Sequence, residues 1–157
     1  MTRRPVVPRR KVSALPYTRD EVWGPLREAY RLLRQRWATS LGRLDLSLSE
    51  YGLLELCTRA PARASEVARA IGITPAGATD VIDRLEGRQV IRRAADPEDR
   101  RAVLVRLTPR GRRLYREAKG TRRAFFEGLL AELTLEERRS LFVGLTALVR
   151  AVPREPD

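Results

Sequence analysis

Apolar positions recur at helical spacing over most of the chain. Trp23, Leu26, Tyr30, Leu33, Trp37, Leu41 and Leu44 follow one another at steps of three or four, a stripe down one face of a long helix. Thr18 with Glu21 opens that helix as a capping box. A second box, Ser47 with Glu50, opens a shorter helix through Leu53, Leu54, Leu56 and Cys57, with Pro61 beyond its end. Two short helical patterns follow, Ser65 to Ile71 and Pro75 to about Gly87, split by Gly72. Thr74-Pro75 is a start signal, a hydroxyl cap before a proline whose missing N–H costs nothing in a first turn. Over residues 90–107 the period changes. Val103, Val105 and Leu107 alternate with Leu104 and Arg106, which predicts a strand, and Val90 to Ala94 is its candidate partner. The charged segment from Ala95 to Ala102 between them is longer than a usual hairpin turn. Thr108-Pro109 repeats the cap-plus-proline signal before a helix running to about Glu132. Thr134 with Glu137 caps a last helix that carries Leu141, Leu145, Leu148 and Val152. The fold class is therefore mainly α with a small antiparallel β-hairpin, in the order α-α-α-α-β-β-α-α.

The segment from Glu66 to Val81 has what a helix-turn-helix needs. Two helices crossing closely require small residues at the contact, here Ala68 and Ala78. The tight turn requires a residue that tolerates positive φ, here Gly72. Ile71, Ile73 and Val81 are set to fill the wedge between the helices. A charged hairpin follows directly, which makes the unit a winged helix-turn-helix.

Charge then points to a partner. The 157 residues carry a formal net charge of +12, and thirty of the 32 Lys and Arg residues are Arg. An excess of planar, bidentate cations makes a polyanion the first partner to consider. There is no His, which removes the usual general base and the commonest metal ligand. The single cysteine, Cys57, permits neither an internal disulfide nor a CxxC metal site. No Ser or Cys triad and no Gly-rich phosphate loop is present, so no catalytic residue, metal or cofactor is expected. The longest unbroken apolar run, Ala102 to Val105, is far too short to span a membrane. The basic N-terminus has no apolar stretch behind it and does not read as a secretory signal, so a cytoplasmic protein is expected.

The run Asp96-Pro-Glu-Asp-Arg-Arg-Ala-Val-Leu-Val-Arg-Leu-Thr-Pro-Arg-Gly111 resembles the wing signature of the MarR family of transcriptional regulators. Val81-Ile-Asp-Arg-Leu-Glu86 resembles the end of that family's recognition helix, and Ser47-Leu-Ser-Glu-Tyr51 the start of its second helix. The resemblance covers roughly Tyr17 to Val152 and implies a homodimer whose terminal helices interlock. Trp23, Tyr30, Leu141, Leu145 and Leu148 are then expected in the dimer seam. Each chain would offer a recognition helix to the major groove of double-stranded DNA and a wing to the flanking minor groove. Arg101 falls where the family has its wing-tip arginine, suited to the negative potential of a narrow minor groove, and Asp99 matches the acid that steadies it. Thr74, Pro75, Ala76, Gly77, Thr79, Asp80 and Arg84 are the candidate groove-facing residues. Arg84, Arg88, Arg92 and Arg93 are candidates for phosphate contacts, and Arg100 is a candidate of the wing. Asp80 stands where the family often has a base, and is expected to pair with a neighbouring Arg or accept from a cytosine amino group. Gln89 stands where the family has Gly, so Gly87 is expected to supply the left-handed residue that ends the helix.

The implied organisation is a basic, proline-containing arm over 1–16, a helical dimerisation region over 17–46 and 109–157, and a DNA-binding lobe over 47–108. The function implied is a repressor of a pseudo-palindromic operator. Members of the family often bind small aromatic or anionic effectors, for which Arg34, Trp37 and Tyr51 are candidate pocket walls. Cys57 sits among leucines and reads as inert. Two alternatives stay open: an architectural protein with little sequence preference, which short side chains on the recognition helix would suit, and a winged-helix module docking an acidic protein.

Overall fold

The computed structural model describes residues 17–97 and 103–153. Its elements run α1 (Arg19–Gly42), α2 (Leu48–Cys57), β1 (Ala62–Arg63), α3 (Ala64–Ile71), α4 (Pro75–Gly87), β2 (Ile91–Ala95), β3 (Val103–Leu107), α5 (Pro109–Ala131) and α6 (Leu135–Ala151). This is the expected order with one addition. The two-residue β1 pairs antiparallel with β3, so that β3 lies between β1 and β2 in a three-stranded sheet. Two residues are too few for an alternation to be read in the sequence. By contacts the chain divides into two compact units, separated between Arg36 and Trp37 inside α1. No described helix is long and apolar enough to cross a membrane.

The caps form as their sequences dictate. Ser47 and Thr134 make reciprocal capping boxes with Glu50 and Glu137. Thr18 does the same with Glu21, whose Oε2 accepts the Thr18 N–H at 2.7 Å. Thr74 and Thr108 accept the N–H of Gly77 and Gly111, each at 3.1 Å, and a proline follows each of them.

Three helices end in the same way, and only one of them uses glycine. Asp45, Gly72 and Gln89 adopt left-handed φ values of 51°, 68° and 59°. Behind each, the next residue returns its N–H to a carbonyl five positions back: Leu46 to Leu41 at 3.1 Å, Ile73 to Ala68 at 3.0 Å and Val90 to Leu85 at 2.9 Å. This is the Schellman motif, in which the residue after the left-handed one packs against the helix just ended. The expectation that Gly87 would be the left-handed residue is corrected here, because Gly87 lies within α4 and Gln89 takes that role. The reason is burial. The residue following the left-handed position must enter the core, and Val90 does so completely beside Leu85. Had Gly87 turned the chain, Arg88 would have to be buried in Val90's place. Because a side chain in this conformation costs about 1–2 kcal/mol, Gln89→Gly is expected to raise stability by about 0.5–1 kcal/mol once its looser unfolded state is counted. Chemical denaturation measures this, and an unchanged or lower midpoint would contradict it.

The core lies in the second unit, from Trp37 onward. Leu41, Leu53, Leu54, Val67, Ile82, Leu85, Val90, Ile91 and Val105 are its largest fully buried side chains. Each such burial contributes about 1.5–3 kcal/mol. Ala68 and Ala78 are buried as the helix-turn-helix requires, and Ile71 and Ile73 pack against the same cluster.

Candidate nucleic-acid interface

Helix α4 has one face held by the core and one turned to solvent. Ala78, Val81, Ile82 and Leu85 are buried. Thr74, Pro75, Ala76, Thr79, Asp80, Asp83 and Arg84 are exposed, and Gly77 is half-buried. The exposed face is therefore the one that the groove-facing candidates were expected to occupy. Its side chains are short. The Thr79 hydroxyl donates to the Pro75 carbonyl at 3.2 Å, which leaves its oxygen able only to accept. Asp80 makes no ion pair among the described residues, so the expected pairing with an Arg is not found. Arg84, one turn along, is drawn instead to Glu50, 3.5 Å from Nε.

Glu50 organises this end of the lobe. It is only 6% exposed, and one oxygen closes the Ser47 capping box. The other faces Arg84 and, at 3.8 Å, Arg88. Arg88 also donates to the Asp45 carbonyl at 2.6 Å, tying the end of α4 to the turn after α1.

The candidate arginines of the hairpin separate by face. The register pairs Arg93 with Val105 and Arg92 with Arg106. Val105 is buried, so Arg93 lies on the sheet's inner face and Arg92 on its outer face. Arg93 reaches back to α4, where Asp83 Oδ1 lies at 2.5 Å and Glu86 forms a second ion pair. Glu86 also accepts the Arg93 N–H at 3.0 Å. These hydrogen bonds hold the Arg93 guanidinium above its ordinary range and commit it to fastening strand to helix. Sequence reasoning missed a further clamp at the loop end of the hairpin. Asp96 is 6% exposed, and its Oδ2 accepts Arg63 Nε and Nη2 at 3.2 and 2.7 Å. The two residues lie 33 positions apart, beyond the reach of any local rule. Asp99, Arg100 and Arg101 lie outside the described residues.

Residues of α1, α2 and α5 form an aromatic cluster. Trp37 meets Tyr51 edge-on at 5.3 Å, and Tyr51 stacks on Tyr115 at 5.9 Å. The Arg122 guanidinium lies 5.6 Å from the Tyr51 ring and pairs with Glu55 at 2.9 Å. The Tyr51 hydroxyl is buried without a hydrogen-bond partner. Burial pushes its pKa up to about 12, with Glu55 adding to the shift and Arg122 opposing it. Arg34 lies in the other unit, where it donates to the Tyr30 hydroxyl at 3.4 Å.

Cys57 is buried, and its Sγ lies 3.7 Å from the Val105 carbonyl. Burial pushes this thiol up to about 11. At pH 8 only about one molecule in a thousand would hold the reactive thiolate. A disulfide reagent is expected to react at least ~100-fold more slowly with the native than with the unfolded chain. Rapid stoichiometric reaction of the native protein would contradict this.

A sequence model described as the MarR family matches residues 46–103, which span α2 to the start of β3. An HTH-type transcriptional repressor of Mycobacterium bovis is 32% identical over 109 residues, covering 69% of this chain and 78% of the relative. The chain belongs to the MarR family. It is thus a MarR-type helix-turn-helix transcriptional regulator, from a family that binds DNA and is not enzymatic. The crystal structure of RV1404 from Mycobacterium tuberculosis is similar, with a TM-score of 0.76 and 27% identity over 90% of this chain and 99% of that one. The transcriptional regulator BldR from Sulfolobus solfataricus is similar too, with a TM-score of 0.70 and 26% identity over 83% of this chain and 94% of that one.

In this MarR-family chain, the residues expected in a dimer seam are uncovered. Helix α6 buries none of its residues, and Leu141, Leu145 and Leu148 are 40%, 48% and 40% exposed. Phe142 and Val149 are also exposed. In the first unit Trp23 and Tyr30 are exposed as well, whereas further along the same stripe Leu41 is in the core.

Proposed function

We propose that this MarR-family regulator acts as a homodimeric repressor that occludes a promoter at a pseudo-palindromic operator. The observation that carries this reading is α4, a helix anchored on one face by Ala78, Val81, Ile82 and Leu85 and open to solvent on the other. Two such helices, related by a seam through Leu141, Leu145, Leu148, Trp23 and Tyr30, would enter successive major grooves about one helical turn, or 10 bp, apart. In this reading residues 17–46 and 109–157 form the dimerisation region and 47–108 the DNA-binding lobe.

Base readout is thin because α4 offers few long donors. Thr74, Ala76, Gly77 and Thr79 allow close approach, and Asp80, without an ionic partner among the described residues, accepts from a cytosine amino group. Shape and backbone contacts carry the remaining affinity, with Arg84, Arg100 and Arg101 as donors and Asp99 steadying Arg101. Arg93 takes no part, since Asp83 and Glu86 hold it. A small aromatic anion is the effector class best suited to the surroundings of Trp37 and Tyr51, where a guanidinium lies over the Tyr51 ring and the Tyr51 hydroxyl has no partner.

The test is selection of bound duplexes from a random pool, followed by titration of the selected site in increasing salt. A palindrome with half-sites about 10 bp apart and a steep fall of log K with log salt is expected. Arg101→Ala should weaken binding by about 1–3 kcal/mol while leaving the dimer intact. No enrichment over random duplex would favour the architectural reading. A flat salt response would count against DNA as the partner.

A further inference from the structure

The outer face of the wing's root carries a cationic cleft. Cross-strand register sets Arg92 directly opposite Arg106 on the sheet face away from α4. Like charges so placed repel and destabilise a sheet. Arg112, from the first turn of α5, joins them in a cavity of about 320 Å³ that Cys57, Thr58 and Pro61 also line. Its guanidinium is oriented by donation to the Leu107 carbonyl at 3.0 Å. A second hollow of about 450 Å³ shares Thr58 and Arg112 with the first and adds Arg113 and Arg116.

None of these five arginines has a carboxylate within ion-pair distance among the described residues. Other arginines of the chain do have an acid beside them. Arg63, Arg84, Arg88, Arg93 and Arg122 each meet an acid. The arginines that fasten elements together are neutralised, whereas these five gather on one concave surface without an acid; Arg59 and Arg69, which lie outside it, also have none among the described residues. Each hollow has the volume of a small-ligand site.

We propose that this cleft is a binding site for a small polyphosphate-type anion. Arg92 and Arg106 would grip one anionic group bidentately, and Arg112 with Arg113 or Arg116 would hold the next. Two linked groups are favoured over one because the hollows are joined through Arg112. Binding would relieve the repulsion between Arg92 and Arg106 and fasten the hairpin root to the start of α5. A DNA phosphate is the competing occupant. It is disfavoured because Arg92 and Arg106 lie on the sheet face opposite the one packed toward α4.

The test is calorimetric titration of the full chain with inorganic tripolyphosphate and with inorganic phosphate at matched ionic strength. Tripolyphosphate should bind at least ~10-fold more tightly than phosphate. Arg106→Glu, which would pair with Arg92 across the strands, should abolish this binding and raise the melting temperature in chloride alone. That rise would show that the variant folds. A second variant, Arg106→Gln with Arg112→Gln, should lose tripolyphosphate binding at least ~10-fold and leave duplex affinity within about twofold. Three outcomes would overturn the proposal: tripolyphosphate binding no tighter than phosphate, variants binding tripolyphosphate as the wild type does, or a parallel loss of duplex affinity that returns these arginines to the DNA interface. Because the titration needs no DNA, it succeeds or fails independently of the operator reading.

Discussion

Gly111→Ala is expected to destabilise the protein by about 3 kcal/mol, lowering the melting temperature by about 6–12 °C. Gly111 lies in the first turn of α5, where an added Cβ would come within 2.0 Å of the Val90 carbonyl oxygen and 3.4 Å of a Leu107 methyl. That oxygen belongs to backbone and cannot swing aside. It already accepts the Thr108 N–H at 3.1 Å and the Thr108 hydroxyl at 3.0 Å. Val90 is also the residue that seals the end of α4. The end of the recognition helix, the root of the wing and the start of α5 therefore meet at one carbonyl, and only glycine lets them approach. Gly120 provides the control. It lies in the same helix with nothing within 4 Å of its added Cβ, so Gly120→Ala should stabilise by up to about 1 kcal/mol through helix propensity alone. Opposite signs for the two substitutions, read by thermal or chemical denaturation, are the expected result. A neutral Gly111→Ala would show that the joint can open without cost.

Charging the exposed face of α6 should have the largest functional effect. Leu145→Glu with Leu148→Glu is expected to convert a dimer into monomers and to weaken operator binding at least ~100-fold. The two leucines are about half exposed in the single chain and follow Leu141 along a helix that buries nothing. Covering each would contribute about 1–3 kcal/mol, whereas an unpaired carboxylate there would have to be desolvated. The loss at DNA follows from linkage, because the second recognition helix no longer arrives at the high effective concentration that the first one's binding provides. Neither leucine touches the core, so the monomers should stay folded, with helical circular dichroism unchanged. Light scattering that reports a dimer for this variant would move the seam elsewhere.

Much of the lobe was legible because its instructions are short-range. A capping box spans three residues, a hydroxyl-proline start spans two, and the small-residue contacts of Ala68 and Ala78 sit within one helix-turn-helix. The role of each arginine was not legible. Arg92 and Arg93 are neighbours on one strand and look alike in sequence. The pleat sends Arg93 inward to Asp83 and Glu86, and Arg92 outward to face Arg106. Asp80 was the acid expected to meet an arginine, and the fold gave one to Asp83 instead.

The amino-acid sequence alone determined where helices start, where the chain turns from helical to strand spacing, and which family the wing run resembles. Each rests on groups a few residues apart, whose interaction scarcely depends on the rest of the chain. The tertiary structure decided which residue closes α4, which arginines stay without a carboxylate, and that β1 joins the sheet. Those outcomes depend on partners many positions away, such as Arg63 with Asp96 and Arg88 with Asp45. They depend as well on the demand that Val90, rather than a charged neighbour, fill the core.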